Sequence, residues 1–334
     1  MHILIIHSGE IGESLLITPV IRALKNKLGA HISLLIPKDQ HVLFQDNPHC
    51  DELINADEPM GVIRKQLKSE AFDWVIDLDQ TFKSFVCRLG LSGKKLVLQK
   101  HRLKRWIYIK TKINLLPKSH VITQYFDLVA PLNVTEDEEG LDLYIPEKDE
   151  VEREWLPESH QNGYAAVVIG GSYATRKLPN IRLIELCDRI NKPIVLLGDD
   201  ADLEVAEEVT KFFERGTKAE EEEIKDLNKK AIVFNAVGKF NFYQRASLLQ
   251  EAAWVFSTDH ELMYVAAALK KKIYSIWGNT TPLLGYYPYG TSFTVFENNK
   301  LNCRPCTHRG YSNCPKGHFK CMNDLTFDFY LLDD

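Results

Sequence analysis

Short apolar runs alternate with longer amphipathic segments along most of this chain, as in proteins whose strands and helices alternate. In the first half, the pattern predicts strands at Ile3–Ile6, Ile32–Ile36 and Trp74–Leu78. Between the first two lies Ser14–Lys27, where apolar residues recur at helical spacing and predict a helix. Such alternation predicts right-handed βαβ units and a parallel sheet.

The same pattern restarts after residues 146–160, a charged segment with prolines near both ends that is predicted to be a linker or a domain-edge helix. The second half carries these predicted strands: Tyr164–Ile169, Pro193–Leu197, Ala231–Phe234, Trp254–Ser257 and Ile273–Trp277. The acidic run Glu220–Glu223 is interpreted as a solvated helix start. Because 334 residues are many for one core, we expect two similar α/β domains with a ligand cleft between them.

Composition narrows the class of protein. The apolar fraction of 45% and the charged fraction of 26% are those of an ordinary globular protein, and the net charge of -5 argues against a general nucleic-acid binder. No apolar run approaches the roughly 20 residues that span a bilayer. Glu10 and Glu13 interrupt the apolar amino terminus, which is therefore not predicted to be a secretory signal. The expected location is cytoplasmic.

Two loops that follow predicted strands carry candidate chemistry. In the first, Gly9 and Gly12 allow a tight turn, and Glu13 at the helix start is either a general base for a hydroxyl or a helix cap. In the second, Asp259 precedes a short helix whose unpaired N–H groups and dipole suit a phosphate. Because ligands of open α/β sheets bind at the carboxyl ends of strands, the sequence predicts a nucleotide site near Asp259.

Several segments spread over nearly the whole chain recur in a characteristic order and spacing: Ser8–Glu13 with Thr18-Pro19, Phe72–Leu78, Gly170–Pro179, Gly238–Phe240, Asp259–Ala268, Gly278–Pro282 and the cysteine-rich tail. Together they resemble the heptosyltransferase-like glycosyltransferases (glycosyltransferase family nine), which include the lipopolysaccharide heptosyltransferases. The tail and the Gly278–Pro282 turn look most like members from the Bacteroidetes.

The resemblance implies an α/β fold of two Rossmann-like domains that face each other across a cleft, the glycosyltransferase-B fold. Residues 1–150 are then the acceptor-binding domain, residues 151–300 the nucleotide-sugar-binding domain and residues 301–334 a Cys-rich carboxyl-terminal tail. The implied reaction is inverting and requires no cofactor. It moves heptose or another sugar from a nucleotide-diphosphate donor to lipopolysaccharide or another surface-glycan precursor, an anionic lipid-linked saccharide.

The resemblance also assigns roles to single residues. Glu13 takes the position of the base that deprotonates the acceptor hydroxyl. The residues implied to bind the donor are Ser172, Thr175, Arg176, Lys177, Asp259, His260, Glu261, Leu262, Met263, Gly278 and Thr280. Those implied to bind the acceptor are Ser8, Gly12, Lys104 and Arg105.

Several of these positions depart from the residues usual in the family. Glu13 replaces an aspartate and Arg176 replaces a lysine, so both charges are kept. Glu261 replaces a glycine and adds negative charge where a diphosphate is expected, Tyr264 replaces a histidine, and Gln124 stands where arginine is frequent. Three hypotheses stay open: an active transferase, a non-catalytic or repurposed relative (a pseudoenzyme) that binds a nucleotide or glycan without transfer, and a sugar-nucleotide epimerase of the same architecture.

Residues 94–112 concentrate basic side chains and interleave them with aromatic and aliphatic ones, such as Trp106 and Ile107. The pattern is typical either of peripheral contact with an anionic membrane, here the inner face of the inner membrane, or of a solvated helix face. No nucleic-acid-binding motif accompanies it, so no nucleic-acid partner is expected.

The cysteines divide into two groups. Cys50, Cys87 and Cys187 are scattered and are predicted to be small core residues. The tail holds Cys303, Cys306, Cys314 and Cys321, which have zinc-ligand character but fit the spacing of a standard zinc ribbon poorly. A structural zinc, disulfides and free thiols are therefore all open for the tail.

Overall fold

A computed structural model of the chain describes residues 1–215 and 231–331, so the predicted helix start at Glu220–Glu223 lies outside the described residues. The chain divides into two compact units. Unit 1 comprises Met1–Leu103, Leu116–Tyr144 and Gly285–Gly290, and unit 2 comprises Lys104–Leu115, Ile145–Leu284 and Thr291–Asp334. These units differ in extent from the ranges 1–150, 151–300 and 301–334, whose assignment as domains stays a prediction.

Unit 1 is built on a parallel sheet. Its strands are β1 (His2–Ile6), β2 (His31–Ile36), β3 (Glu52–Asn55), β4 (Trp74–Asp77) and β5 (Lys94–Val97), in the order β3-β2-β1-β4-β5. The helices along this part of the chain are α1 (Ile11–Leu15), α2 (Thr18–Leu28), α3 (Met60–Ser69), α4 (Phe82–Arg88), α5 (Arg102–Thr111) and α6 (Val121–Val129). Most of α5 belongs to unit 2.

Unit 2 repeats the arrangement with a larger parallel sheet. Its strands are β6 (Ala165–Val168), β7 (Ile194–Leu197), β8 (Val233–Asn235), β9 (Trp254–Thr258), β10 (Ile273–Trp277) and β11 (Phe293–Glu297), in the order β11-β10-β9-β6-β7-β8. Its further helices are α7 (Asn180–Ile190), α8 (Leu203–Arg215), α9 (Phe242–Glu251), α10 (Glu261–Ala268) and α11 (Lys320–Asn323).

Both sheets follow the doubly wound order, in which the chain reverses its direction of travel across the sheet at one point. This switch point lies between β1 and β4 in unit 1 and between β6 and β9 in unit 2. Loops leaving the two strands diverge there and open a crevice at the carboxyl ends, where such folds bind ligands. The predicted α/β class with parallel sheets is confirmed.

Some predicted elements differ from the observed ones. The single helix predicted at Ser14–Lys27 is wrong: α1 ends at Leu15, and α2 begins at Thr18, whose hydroxyl donates to the Leu15 carbonyl before Pro19. Residues 146–160 form single-turn helices that are anchored in unit 2, where the Val151 N–H donates to the Ser247 hydroxyl.

Three strands escaped the sequence pattern, namely β3, β5 and β11. Each lies at a sheet edge, and their residues are mostly half-buried or exposed, so the apolar run that marks a central strand is missing.

The core of unit 2 includes part of the tail, because Cys321, Met322, Leu325 and Phe327 pack with the strand side chains. The predicted burial of Cys87 and Cys187 is confirmed, whereas Cys50 is half-buried. Among the residues that the structure describes, none of the helices combines the length and the apolar character that a membrane span requires.

Candidate active site

Glu13 lies in the first turn of α1, directly after the loop that leaves β1 at the switch point of unit 1. Its carboxylate lies close to the backbone of Gly9: a Cβ atom at Gly9 would overlap Glu13 Oε2 and lie 2.8 Å from the ring of His7. Glycine therefore leaves room for both side chains in these positions. The loop therefore holds a carboxylate and an imidazole together at the carboxyl end of the sheet.

Three residues near this loop were not predicted as site residues from the sequence: His7, Asp79 and Lys100. Asp79 follows β4 and accepts hydrogen bonds from the Ser8 backbone N–H (3.0 Å) and hydroxyl (2.5 Å). The same carboxylate lies 3.8 Å from His7 Nδ1 and 3.6 Å from Lys100 Nζ. The position of Asp79 just after a predicted strand was the one signal that could have found it.

His7 is an unusual member of this group. Its side chain is 1% exposed, and within residues 1–215 and 231–331 neither ring nitrogen has a hydrogen-bond partner. Burial lowers the pKa of His7 to about 4, so the imidazole is neutral at pH 7. A neutral imidazole has one nitrogen that can donate and one that can accept, and both are available beside Glu13.

The residues predicted to bind the acceptor are divided between the two units. Ser8 and Gly12 belong to unit 1, where Ser8 contacts Asp79 and Gly12 is buried in α1. Lys104 and Arg105 lie in α5 within unit 2.

The donor-loop prediction brings together residues that lie far apart in the chain. Arg176, in the loop after β6, forms an ion pair with Asp259, which follows β9 (Nη2–Oδ1 distance 2.6 Å). The other carboxylate oxygen of Asp259 accepts from the Thr280 hydroxyl at 2.8 Å. Arg176 and Asp259 have side chains only 11% and 7% exposed. Asp259 thus fixes the guanidinium at the switch point of unit 2.

Lys177 is held in the same way. Its Nζ lies 2.5 Å from Asp202 Oδ1, and Asp202 is almost fully buried. The adjacent Gly170 allows this close packing, because a Cβ there would lie 2.8 Å from His260 Nε2 and 3.0 Å from Asp202 Oδ2. Ser172 is exposed on the loop between Gly170 and Arg176.

His260 is the amino-terminal cap of α10. Its Nδ1 accepts from the Leu262 N–H at 3.2 Å, so its proton resides on Nε2, which lies 3.0 Å from Asp199 Oδ2. Arg245 donates to the other Asp199 oxygen at 2.9 Å. The hydrogen bond from His260, together with the charge of Arg245, holds the pKa of Asp199 well below its usual range.

This cap changes the anion-binding capacity expected of α10. The Leu262 N–H donates to the ring of His260, and the Met263 N–H donates to the backbone carbonyl oxygen of His260. The cations of the site each contact a carboxylate; the pairs are Arg176–Asp259, Lys177–Asp202 and Arg245–Asp199. Glu261, half-buried at the start of α10, adds a further negative charge. The local charge is therefore close to balanced, and a diphosphate has to compete with aspartates for the cations.

The tail contacts the loops that carry the predicted donor residues Thr175 and Thr280. The Thr175 hydroxyl donates to the Tyr311 carbonyl (3.0 Å) and accepts from the Tyr311 N–H (2.8 Å). Arg304, 8% exposed, donates to the Thr280 carbonyl at 2.8 Å and to Glu297 at 2.9 Å. A Cβ at Gly278 would lie 2.7 Å from the Thr175 carbonyl oxygen, so this turn contacts the loop that carries Thr175 and Arg176. Sequence reasoning missed Arg304, because nothing local distinguishes it from other tail cations.

The four tail cysteines are unpaired, and Cys303 Sγ lies 3.9 Å from His318 Nε2. Burial raises the pKa of Cys321 to about 12, so its thiol is protonated at neutral pH. Among the described residues, the groups of three or more metal-ligand atoms within 4.8 Å of one another do not include these thiols. As placed, they do not fit a zinc ion, and a structural zinc there stays a prediction that metal analysis of the purified protein tests.

Two parallel doubly wound sheets, each with polar residues gathered at its switch point, define a Rossmann-like α/β protein of the glycosyltransferase-B kind. The model of glycosyltransferase family 9 (heptosyltransferase) matches residues 60–316, and the chain belongs to this family. No curated protein sequence matches the chain.

Solved structures agree with the fold. A family 9 glycosyl transferase from Veillonella parvula aligns with a TM-score of 0.65 at 19% identity, covering 88% of this chain and 85% of that one. ADP-heptose lipopolysaccharide heptosyltransferase II from E. coli aligns with a TM-score of 0.65 at 18% identity, covering 97% and 98%. E. coli heptosyltransferase WaaC with ADP aligns with a TM-score of 0.61 at 17% identity, covering 88% and 93%.

Proposed function

We propose that this glycosyltransferase is an active, inverting enzyme that moves a sugar from a nucleotide-diphosphate donor to a surface-glycan precursor. The observation that carries the proposal is the pair of switch-point sites, one with Glu13 in unit 1 and one with Arg176 and Lys177 in unit 2. The similar WaaC structures contain ADP and ADP-2-deoxy-2-fluoro heptose, which makes an ADP-linked heptose the first donor to test.

In the proposed reaction, unit 2 holds the donor and stabilises the leaving group. The diphosphate contacts Arg176 and Lys177, whose positions Asp259 and Asp202 have already set. Cations fixed before the reaction stabilise the charge that develops as the sugar–phosphate bond breaks, without a cost of reorganisation. Arg176 and Lys177 stabilise the negative charge of the leaving diphosphate, and the proposed reaction requires no cofactor.

Unit 1 supplies the base. Glu13 removes the proton from the acceptor hydroxyl as its oxygen attacks the anomeric carbon on the face opposite the diphosphate, which inverts the configuration. The new glycosidic C–O bond forms while the bond to the diphosphate breaks, and the proton stays on Glu13 until solvent removes it. Ser8 and Gly12 form the loop against which the acceptor lies, and neutral His7 offers a hydrogen bond to Glu13 when the acceptor is bound.

The acceptor is proposed to be an anionic lipid-linked saccharide, reached from the cytoplasmic face of the inner membrane. Helix α5 supports this part of the proposal. Leu103 and Trp106 are 70% and 58% exposed beside Lys104 and Arg105, so one helix presents apolar side chains flanked by cations. Such a surface suits the interface of an anionic bilayer.

Two measurements test the function. Calorimetry with ADP, GDP and UDP should give binding of at least one nucleotide, and binding of none would overturn the donor site. With ADP-heptose and lipid-linked saccharide extracted from the source cells, Glu13→Gln should reduce transfer at least 100-fold, because a general base contributes about that much. Glu10→Gln, in the same loop, is the matched control and should keep full transfer.

A second candidate is a relative that binds a nucleotide without transferring a sugar. Glu261 and the bonded amides of Leu262 and Met263 favour it, since they weaken the diphosphate site. Nucleotide binding by the wild-type protein, without transfer from any of the three nucleotide classes, would support this candidate. Donor turnover that needs no acceptor would instead indicate an epimerase.

A further inference from the structure

A second cluster of metal-ligand side chains lies at the amino ends of β1, β2 and β3, away from the carboxyl-end loop of Glu13. His2 pairs with His31 across β1 and β2, and Ser33 pairs with Glu52 across β2 and β3. Residues paired across parallel strands share a face of the sheet, as do residues two apart on one strand. The register therefore places two imidazoles, a hydroxyl and a carboxylate on one face.

The side chains converge closely. Ligand atoms of His2, His31 and Glu52 all lie within 4.8 Å of one another, and the two rings meet edge to face with centroids 4.7 Å apart. The Ser33 hydroxyl donates to Glu52 at 2.6 Å and lies 2.8 Å from His2 Nε2. Ser33 is fully buried and so orients the carboxylate, as outer hydrogen bonds do for metal-binding carboxylates.

We propose that His2, His31 and Glu52 form a binding site for a borderline divalent cation of the Zn²⁺ class. Two imidazoles and one carboxylate are a common ligand set for zinc, with water in the fourth position. The carboxylates of Glu70 and Asp73 also act on His2 electrostatically, which makes this end of the sheet attractive to a cation.

The other metal-ligand group of the described residues, Asp199, His260 and Glu261, lacks this capacity. Both ring nitrogens of His260 are engaged, one with the Leu262 N–H and the other with Asp199. In His2, by contrast, a shift of the ring proton to Nδ1 would free Nε2 for the ion, while Ser33 keeps its bond to Glu52. The cation would tie three adjacent strands together and thereby stabilise unit 1.

Zinc titration of the chelator-treated full chain tests the site by calorimetry and elemental analysis. Wild type should bind one equivalent more than His31→Ala, whose side chain is 53% exposed and can be removed without disturbing the core. Glu52→Gln should weaken that equivalent at least tenfold. His49→Ala, a half-buried histidine of the same unit, should bind as wild type does. Equal stoichiometry and affinity in wild type and His31→Ala would overturn the proposal.

The tail thiols require a separate control, because cysteine thiolates are also common zinc ligands. A Cys303→Ser/Cys306→Ser variant should keep the equivalent that His31→Ala lacks. Imidazole resonances of His2 and His31 should shift together as this equivalent is added. Loss of the equivalent in the cysteine variant, with unchanged imidazole resonances, would assign the zinc to the tail and refute the site. This experiment does not depend on the proposed transferase activity.

Discussion

At the scale of single residues, Glu261 is the side chain that most directly opposes an anionic ligand at the proposed donor site. Its carboxylate lies within 4.8 Å of ligand atoms of Asp199 and His260, so two carboxylates share the start of α10. A diphosphate placed near this helix end would meet both. The glycine usual in the family would add no charge, which makes Glu261 the position where the family resemblance and the site electrostatics disagree.

Glu261→Gln should therefore tighten ADP binding about tenfold, which corresponds to roughly 1.4 kcal/mol and is the size expected for removing one nearby like charge from a partly solvated site. Calorimetry at low salt measures the change. Glu251→Gln, at the end of α9, removes the same charge away from the loop and should leave the affinity unchanged. Weaker binding by Glu261→Gln would indicate that Glu261 contacts a hydroxyl of the donor.

At the scale of elements, helix α6 depends on a histidine for its amino-terminal cap. His120 Nδ1 accepts from the Ile122 N–H at 3.1 Å, and Nε2 lies 3.0 Å from the Tyr287 carbonyl oxygen. The carbonyl can only accept, so the ring proton is on Nε2 and the cap requires an unprotonated Nδ1. Burial lowers the pKa of His120 to about 4, so protonation would break the cap.

The pH dependence of stability follows from this cap. The folded pKa lies below the ordinary value of about 6.5, so between pH 6.5 and 4 the unfolded chain binds more protons and stability falls as the pH falls. From pH 7 to pH 5, wild type should lose about 2 kcal/mol more than His120→Asn, which keeps a capping oxygen but does not titrate. Urea unfolding of both proteins at the two pH values measures the difference. Equal losses would show that His120 is not buried in its neutral form.

If α5 contacts membranes, its exposed apolar side chains should contribute to binding of anionic vesicles. Trp106→Glu should reduce partition onto vesicles of phosphatidylglycerol and phosphatidylcholine at least tenfold, because it replaces an exposed apolar ring with a charge repelled by the anionic lipid. Trp155→Glu is the matched control, since Trp155 is 54% exposed outside α5. Sedimentation with vesicles measures the partition. Similar losses in both variants would mean that α5 is an ordinary solvated helix.

At the scale of the whole molecule, part of the carboxyl-terminal tail packs in the core of unit 2. Arg304 donates to the Thr280 carbonyl and to Glu297, while Met322 and Phe327 pack among the strand residues. The turn that carries Thr280 is thus held from the tail side. The Thr280 hydroxyl also donates to Asp259. A chain of direct hydrogen bonds therefore connects Arg304 in the tail with Asp259 in the proposed donor site.

Arg304→Ala should lower the free energy of unfolding of unit 2 by about 1–3 kcal/mol, because it removes a buried donor from the Thr280 carbonyl and leaves the half-buried Glu297 without its ion-pair partner. It should also weaken nucleotide binding through the turn. Arg309→Ala, an exposed arginine of the same tail, should change stability by less than about 0.5 kcal/mol. Thermal and urea unfolding compare the two. An Arg304→Ala protein as stable as wild type would show that the tail does not brace the turn.

Much of the fold could be predicted from periodicity, because central strands such as β6 and β7 are continuous apolar runs. Edge strands such as β3 and β11 were not, since half-exposed strands carry mixed side chains. The general place of both candidate sites followed from the rule that ligands bind after the carboxyl ends of strands. The ion pairs Arg176–Asp259 and Lys177–Asp202 could not be predicted, because no sequence pattern indicates which distant charged residues meet.

The sequence alone determined the α/β class, the family resemblance and the loops that carry Glu13 and Asp259, because strand and helix patterns are local. Only the tertiary structure decided that Arg176 forms an ion pair with Asp259 and that His260 accepts a hydrogen bond from the Leu262 N–H. It also decided that His7 is buried beside Gly9. These contacts depend on which strands become neighbours at a switch point. That choice is made by packing of the whole sheet, so residues distant in the chain meet there without any local signal.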